Sequence, residues 1–292
     1  MTEQEWLAEQ FEEHRPHLRA VAYRMLGSLS EAEDAVQDAW LRVDRAGTDD
    51  VENLRAWLTT IVARISLNML RARGTRREGP LDVHLPDPII DPVDGTDPEH
   101  EALLADSVGL ALLVVLETLT PAERLAFVLH DMFAVPFDDI APIVDRSPET
   151  TRQLASRARR RVRGADPVPD VDLPAQWEVV EAFLAAAREG DFDALVAVLD
   201  PDVELRADGG LTGITHHIRG AKEVAGRAIT FRKLDLTMRR ALINGAAGMV
   251  SFRDGVPFSL CAVTIKNGRI AKMNFLTDPD RLAQLDFAVL ED

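Results

Sequence analysis

With 292 residues, 46% of them apolar, the chain can bury the cores of two to three domains, which excludes a disordered protein. Its single cysteine, Cys261, excludes a disulfide framework and a multi-thiolate metal centre, and no metal or cofactor is expected. A formal net charge of −16 argues against a nucleic-acid partner, because phosphate binding rests on Lys and Arg.

The distribution of charge reverses that last inference. Residues 53–77 hold six arginines and no acid, and residues 150–163 hold six more, again with none. Residues 78–123 carry eleven acids and neither Lys nor Arg. Two basic patches separated by an acidic tether are therefore expected. The polar, acidic start (Met1 to Glu5) lacks the features of a signal peptide, and the longest apolar run, Val108 to Leu116, is too short to span a bilayer. A cytoplasmic protein with no membrane partner is the expectation.

In chain order, Ala32, Val36, Ala39, Trp40 and Val43 recur at helical spacing, with Ser30 and Glu33 as a capping box. Leu54, Trp57, Leu58, Ile61, Ile65 and Met69 line a second helix. Pro and Asp then cluster, giving a domain over 1–77 and an acidic linker over 78–100. Helices are predicted near 101–117, 121–132, 137–144 and 148–163, forming a second all-α domain over 101–165. A linker over 166–174 follows, marked by Pro167 and Pro169. Over 175–292 the period changes. Helices near 175–189 and 192–199 lead to strands near 202–207, 233–243, 247–253, 257–266 and 269–276, with a short helix near 220–228. Asn267-Gly268 between apolar runs signals a tight hairpin, and Cys261 is expected to be a buried, inert thiol on a strand.

Phe137 to Arg152 has the layout of a helix-turn-helix, with Ser147 as N-cap and Pro148 at the first helical position of the second helix. Thr151, Leu154, Ala155, Ala158 and Val162 share its buried face, leaving Glu149, Thr150, Arg152, Gln153, Ser156, Arg157 and Arg160 outward. Base reading is expected from Glu149, Arg152 and Gln153 near the N-terminus, and phosphate contact from Arg157, Arg159 and Arg160. A solvated basic helix would share this pattern.

Leu119-Thr120-Pro121-Ala122-Glu123-Arg124 and Ser156 to Arg163 resemble region 4 of extracytoplasmic-function sigma factors. Ala22 to Ser28, Ala32 to Leu41 and Arg55 to Arg64 resemble region 2. The resemblance implies two all-α modules, core RNA polymerase (β′ clamp helices and β subunit) and promoter DNA as partners, and a chain that is not an enzyme. It also implies that Asp34, Gln37, Asp38, Leu41 and Arg42 dock on the β′ clamp helices. Asn53, Arg55, Arg64, Asn68 and Arg71 would capture the melted promoter strand, for which single-stranded bases need a pocket and a cationic track.

Residues 175–290 resemble the SnoaL-like branch of the α+β NTF2-like superfamily, a cone-shaped sheet-and-helix domain. With the two sigma regions this resembles the SigJ group, and three segments carry the match. They are His84-Leu85-Pro86-Asp87-Pro88, Asp208-Gly209-Gly210, and Asp278-Pro279-Asp280-Arg281-Leu282 preceded by Thr277. His84 stands where the group usually has Trp, and Thr277 where it usually has Asn. The group implies a monomer whose tail regulates in cis, without a separate anti-sigma factor. Three alternatives remain open: a cyclase- or isomerase-like tail using Asp208, His216 or His217, a ligand-sensing tail, and a non-sigma helix-turn-helix regulator.

Overall fold

The computed structural model describes residues 3–46, 51, 53–76, 84–93, 95, 100, 103, 109–165, 170, 172–210 and 216–290. The chain forms two compact units, one of residues 1–79, 98–106 and 112–165, the other of 80–97, 107–111 and 166–292.

The first unit is helical. Helix α1 (Glu3–Leu26), α2 (Leu29–Ala46) and α3 (Leu54–Arg76) pack together. Of the expected stripe, Ala32, Val36, Ala39 and Val43 are fully buried and Trp40 is half-buried. The capping box is a correction. Gly27 takes a left-handed turn (φ 68°) that ends α1, so α2 begins at Leu29, and the Ser28 hydroxyl accepts from the Glu31 N–H at 3.4 Å. Glu33 instead meets Arg15 at 2.6 Å.

Helix α4 (Leu110–Glu117) precedes α5 (Pro121–Phe127), which runs into a π turn at Val128–Met132. The expected start of α4 near 101 falls largely outside the described residues. Thr120 and Glu123 cap each other's backbone, and Arg161 anchors Glu123 at 2.8 Å. Buried Arg124 donates to the Met25 carbonyl at 2.9 Å and pairs with Glu117 at 2.8 Å, tying α5 to α1. Helices α6 (Phe137–Val144) and α7 (Pro148–Ala165) meet across a left-handed turn at Asp145 (φ 56°). The Ser147 hydroxyl accepts from the Thr150 N–H at 3.2 Å, as an N-cap should.

The second unit is a seven-stranded mixed sheet with helices, the α+β architecture that the NTF2-like resemblance implies. Its helices are α8 (Leu173–Glu189), α9 (Phe192–Val198), α10 (Ala221–Phe231) and α11 (Pro279–Leu282). The strands are β1 (Ile90–Asp91), β2 (Leu199–Asp208), β3 (His216–Arg219), β4 (Thr237–Ile243), β5 (Ala246–Arg253), β6 (Val256–Lys266) and β7 (Arg269–Leu276). Their order is β1-β4-β5-β6-β7-β2-β3, with β2 and β7 parallel and the other pairs antiparallel. Register shifts at Leu199/Glu204, Ser251/Phe252 and Thr264/Ile265 bend the strands, as bulges do.

Two boundaries and two strands differ from expectation. Strand β4 begins at Thr237 and not near 233, because Lys233 and Leu234 continue the turn of α10 through bonds to Thr230 and Phe231. Helix α8 begins at Leu173, inside the expected 166–174 linker. Asp170 accepts from the Asn267 and Gly268 N–H groups of the β6–β7 hairpin, so order begins earlier. Strands β1 and β3 were not foreseen.

Candidate functional site

The outward residues of α2, Asp34, Gln37, Asp38, Leu41 and Arg42, are all exposed. Leu41 keeps 45% of its surface in solvent amid charged neighbours. Along α3 and the residue before it, Asn53, Arg55, Arg64, Asn68 and Arg71 are exposed too, while Trp57 is half-buried. The Asn53 carboxamide accepts from the Ala56 N–H at 3.0 Å, so it caps α3 as well as bordering the track. Arg55 lies 3.0 Å from His17 Nδ1. Burial, with Arg55 and other cations nearby, lowers the His17 pKa to about 4, so the ring is neutral at pH 7.

On α7, Glu149, Arg152, Gln153, Arg157 and Arg160 are exposed and Thr150 is half-buried. Arg152 lies over the Phe137 ring, 5.3 Å from its centroid, which props the guanidinium at the N-terminal end of the helix. Arg159 differs from its fellows because it pairs with Asp131 at the π turn. Its charge is therefore already engaged inside the unit.

Within the same unit the two basic surfaces are not equally open. A cleft of about 720 Å³ is lined on one side by Asn53, Arg55, Trp57 and Arg64 and on the other by Pro136, Asp138 and Asp139. Two side chains cross from the first module to the turn before α6. The His17 and Phe133 rings meet edge-on at 5.2 Å, and Arg24 lies 5.0 Å from the Phe133 centroid. In this arrangement Arg55 and Arg64 share a cleft with the Asp138 and Asp139 carboxylates.

In the second unit the three short segments converge on Asp208, at the end of β2. Its carboxylate accepts from the Leu85 N–H at 2.9 Å, from Arg281 at 2.8 Å and from the Gly210 N–H at 3.0 Å, with His84 Nδ1 3.4 Å away. Arg281 also donates to the Leu85 carbonyl at 2.6 Å and to Asp87 at 2.8 Å. Asp208 is 5% exposed, and burial alone would raise its pKa. The hydrogen bonds from His84, Leu85 and Gly210, with the Arg281 charge, more than offset that and hold it at about 2. It is a charged clamp closed on the linker backbone.

The supports of this clamp are local. Thr277 donates both its N–H (2.8 Å) and its hydroxyl (3.2 Å) to the Asp208 carbonyl. Asp278 caps α11 by accepting from the Asp280 and Arg281 N–H groups, which fixes where Arg281 begins. Gly210 has positive φ (67°), and a Cβ there would collide with the Asp278 carboxylate. Leu282, Leu85, Pro86, Pro88 and Gly209 are buried, whereas Pro279 and Asp280 face solvent and do not hold the linker.

A second hold went unseen in the sequence. Residues Ile90 and Asp91 add a strand to the edge of β4, pairing with Ile243 and Leu242. The Asn244 carboxamide oxygen accepts from the Ile89 N–H at 3.1 Å, and the Asn244 backbone N–H donates to the Ile89 carbonyl at 2.8 Å. The available signals were Ile89-Ile90 inside a Pro/Asp-rich stretch and the Asn244-Gly245 turn, whose residues have φ 50° and 75°.

The candidate histidines diverge, as alternation along β3 requires. His216 lies 2.7 Å from Arg227 and lines a cavity, while His217 sits 3.9 Å from Glu204.

A helical module exposing an Arg/Asn track and a helix-turn-helix module, joined by a linker, define a bacterial sigma factor built on regions 2 and 4. Residues 10–76 match the Sigma-70 region 2 family model and residues 109–162 the Sigma-70, region 4 model. The chain belongs to the extracytoplasmic-function (ECF) family of RNA polymerase sigma factors. It is 37% identical to the ECF RNA polymerase sigma factor SigJ of Mycobacterium tuberculosis, covering 93% of this chain and 92% of that one. It is 36% identical to the probable ECF RNA polymerase sigma factor SigI of the same species, covering 93% of each. The crystal structure of M. tuberculosis SigJ superposes with a TM-score of 0.77 at 34% identity, over 95% of this chain and 99% of that one. The likeness thus extends through the C-terminal domain. No described helix is long and apolar enough to cross a membrane.

Proposed function

We propose that the C-terminal domain regulates this sigma factor in cis by gripping the linker between its two promoter-reading modules. The observation that carries the reading is the Asp208–Arg281 clamp on His84 to Asp87, reinforced by β1. The expected linker, residues 78–100, would reach about 80 Å if extended. Pinning residues 84–91 divides that tether into two short arms, which favours a closed arrangement of the modules. In the closed arrangement Arg55 and Arg64 share a cleft with Asp138 and Asp139, which restrains promoter capture until polymerase and DNA shift the balance.

The same reading gives the chain the following contacts. Helix α2 docks on the β′ clamp helices of core polymerase through Asp34, Gln37, Asp38, Leu41 and Arg42. The Arg/Asn track of α3 holds the melted strand, and α7 enters the major groove. No separate anti-sigma protein is required, and the factor acts as a monomer. A regulatory tail is favoured over an enzyme because the carboxylate of Asp208, the strongest acid candidate, is committed to four partners in the clamp.

Run-off transcription with core polymerase tests the regulatory proposal. Asp208→Ala should raise the yield several-fold with core binding unchanged, and an unchanged or lower yield contradicts it. The readers divide by contact type. Arg152→Ala should cost about 1–3 kcal/mol at particular upstream bases if it reads a guanine edge. Arg160→Ala should weaken all promoter variants alike and lower the salt slope by about one. Equal behaviour of both variants across a promoter panel would show that this division is wrong.

A further inference from the structure

The C-terminal domain encloses a cavity that neither sigma module nor the clamp requires. It measures about 120 Å³ and lies between α8, α10 and the sheet. Its walls are apolar, with Phe183, Leu205, Val224, Met249, Met273 and Phe275 among them. An apolar cavity of about 150 Å³ stays dry and accepts a body the size of benzene, so this one admits a small ring or a short acyl chain.

One charged group interrupts the apolar wall. Arg227 on α10 lines the cavity, with His216 Nε2 at 2.7 Å and the Phe231 ring 5.7 Å from its guanidinium carbon. No carboxylate lines the cavity, and among the described residues none pairs with Arg227. A guanidinium stays protonated at any physiological pH, and a neutral imidazole nitrogen accepts a hydrogen bond without supplying a counter-charge. A half-buried cation facing an apolar hollow is thus poised for an anion carrying an apolar body. A second hollow shares Leu184, Ala187, Ala228, Phe231, Leu236 and Met238 with the cavity and adds Arg188, Arg232 and Lys233 against one acid, Asp235. Phe231 and Met238 are exposed there, 42% and 45%, which suits the rim of an entrance.

We propose that this cavity is a binding site for a small apolar carboxylic acid, aromatic or short-chain, whose carboxylate is held by Arg227 and whose body fills the space under the sheet. A planar carboxylate matches the guanidinium fork. The site adjoins the clamp. Leu205 and Ala207 line the cavity immediately before Asp208 on β2, and Thr277 lines it while donating twice to the Asp208 carbonyl. Ligand binding is therefore read out at the linker, a coupling that rests on the regulatory proposal above; the binding itself does not.

The test uses the full chain and two matched pairs of probes, benzoate against benzamide and hexanoate against hexanamide, by titration calorimetry. The carboxylates should bind at least tenfold more tightly than their amides. Arg227→Gln should remove that preference and Arg227→Lys should retain part of it, with circular dichroism unchanged in both. No binding of either carboxylate up to tens of millimolar, equal binding of acid and amide, or an unaltered preference in Arg227→Gln would overturn the site. Hydrogen exchange at the Leu85 N–H is followed in the same samples. Carboxylate binding that leaves it unchanged overturns the coupling and leaves the site standing.

Discussion

Replacing Arg281 with alanine is expected to release the linker from the C-terminal domain. Arg281 makes three charge-assisted bonds, to Asp208, Asp87 and the Leu85 carbonyl. Its side chain and that of Asp208 are 17% and 7% exposed. Removing one member of such a pair leaves a buried charge uncompensated, at a cost of about 3–5 kcal/mol. The loss is local, so the Leu85 N–H should lose about a hundredfold or more of its protection from hydrogen exchange, while β5 and β6 keep theirs. Undiminished protection at Leu85 would show that the linker is held by something other than this clamp. Acid should act in the same direction. The folded fold holds Asp208 at about 2, below its ordinary 3.8. Its contribution, on the order of 2 kcal/mol, is complete above about pH 4 and is lost as the pH falls through about 2.

Polymerase binding should fail when Leu41 is changed to Asp together with Asp38→Arg. Leu41 is the exposed apolar residue on the outward face of α2, bordered by Asp34, Gln37, Asp38 and Arg42. A residue whose surrounding contacts exclude water can form an energetic centre at an interface, where truncation costs about 2 kcal/mol or more. A carboxylate placed there adds desolvation to the lost contact, so affinity for β′ should drop about a hundredfold or more. Surface changes away from the core alter stability by about 0.5 kcal/mol or less, so the melting temperature should stay within a few degrees. Undiminished co-purification with β′ would place the docking face elsewhere.

The sequence made the modules legible because each rests on local signals. Helical spacing, the Ser147 cap and the Asn267-Gly268 turn depend on neighbours within a few residues. The clamp was legible by resemblance, since its short motifs lie far apart along the chain. What escaped depended on partners that periodicity does not identify. Arg159 counts among the expected phosphate contacts of α7, but Asp131, 28 residues earlier, takes its charge. Strand β1 has two residues, too few to show alternation, and the edge that completes it lies about 150 residues downstream. The cap of α2 moved because Gly27, before it, ends α1 in a left-handed turn. Arg227 offered no signal at all, being one arginine on an amphipathic helix until the cavity beneath it is seen.

On the proposed reading, the tail governs the spacing of the two promoter readers through the linker. The most direct measurement is the distance distribution between fluorescent labels on cysteines introduced at Arg45 and Arg146, both exposed. Native Cys261 does not compete for label, because it is buried and burial pushes its thiol far above the ordinary range. In the free protein at pH 7 the unaltered chain should give one narrow, short distribution, and Asp208→Ala and Arg281→Ala should each give a longer, broader one. Superimposable distributions for all three proteins would contradict the account.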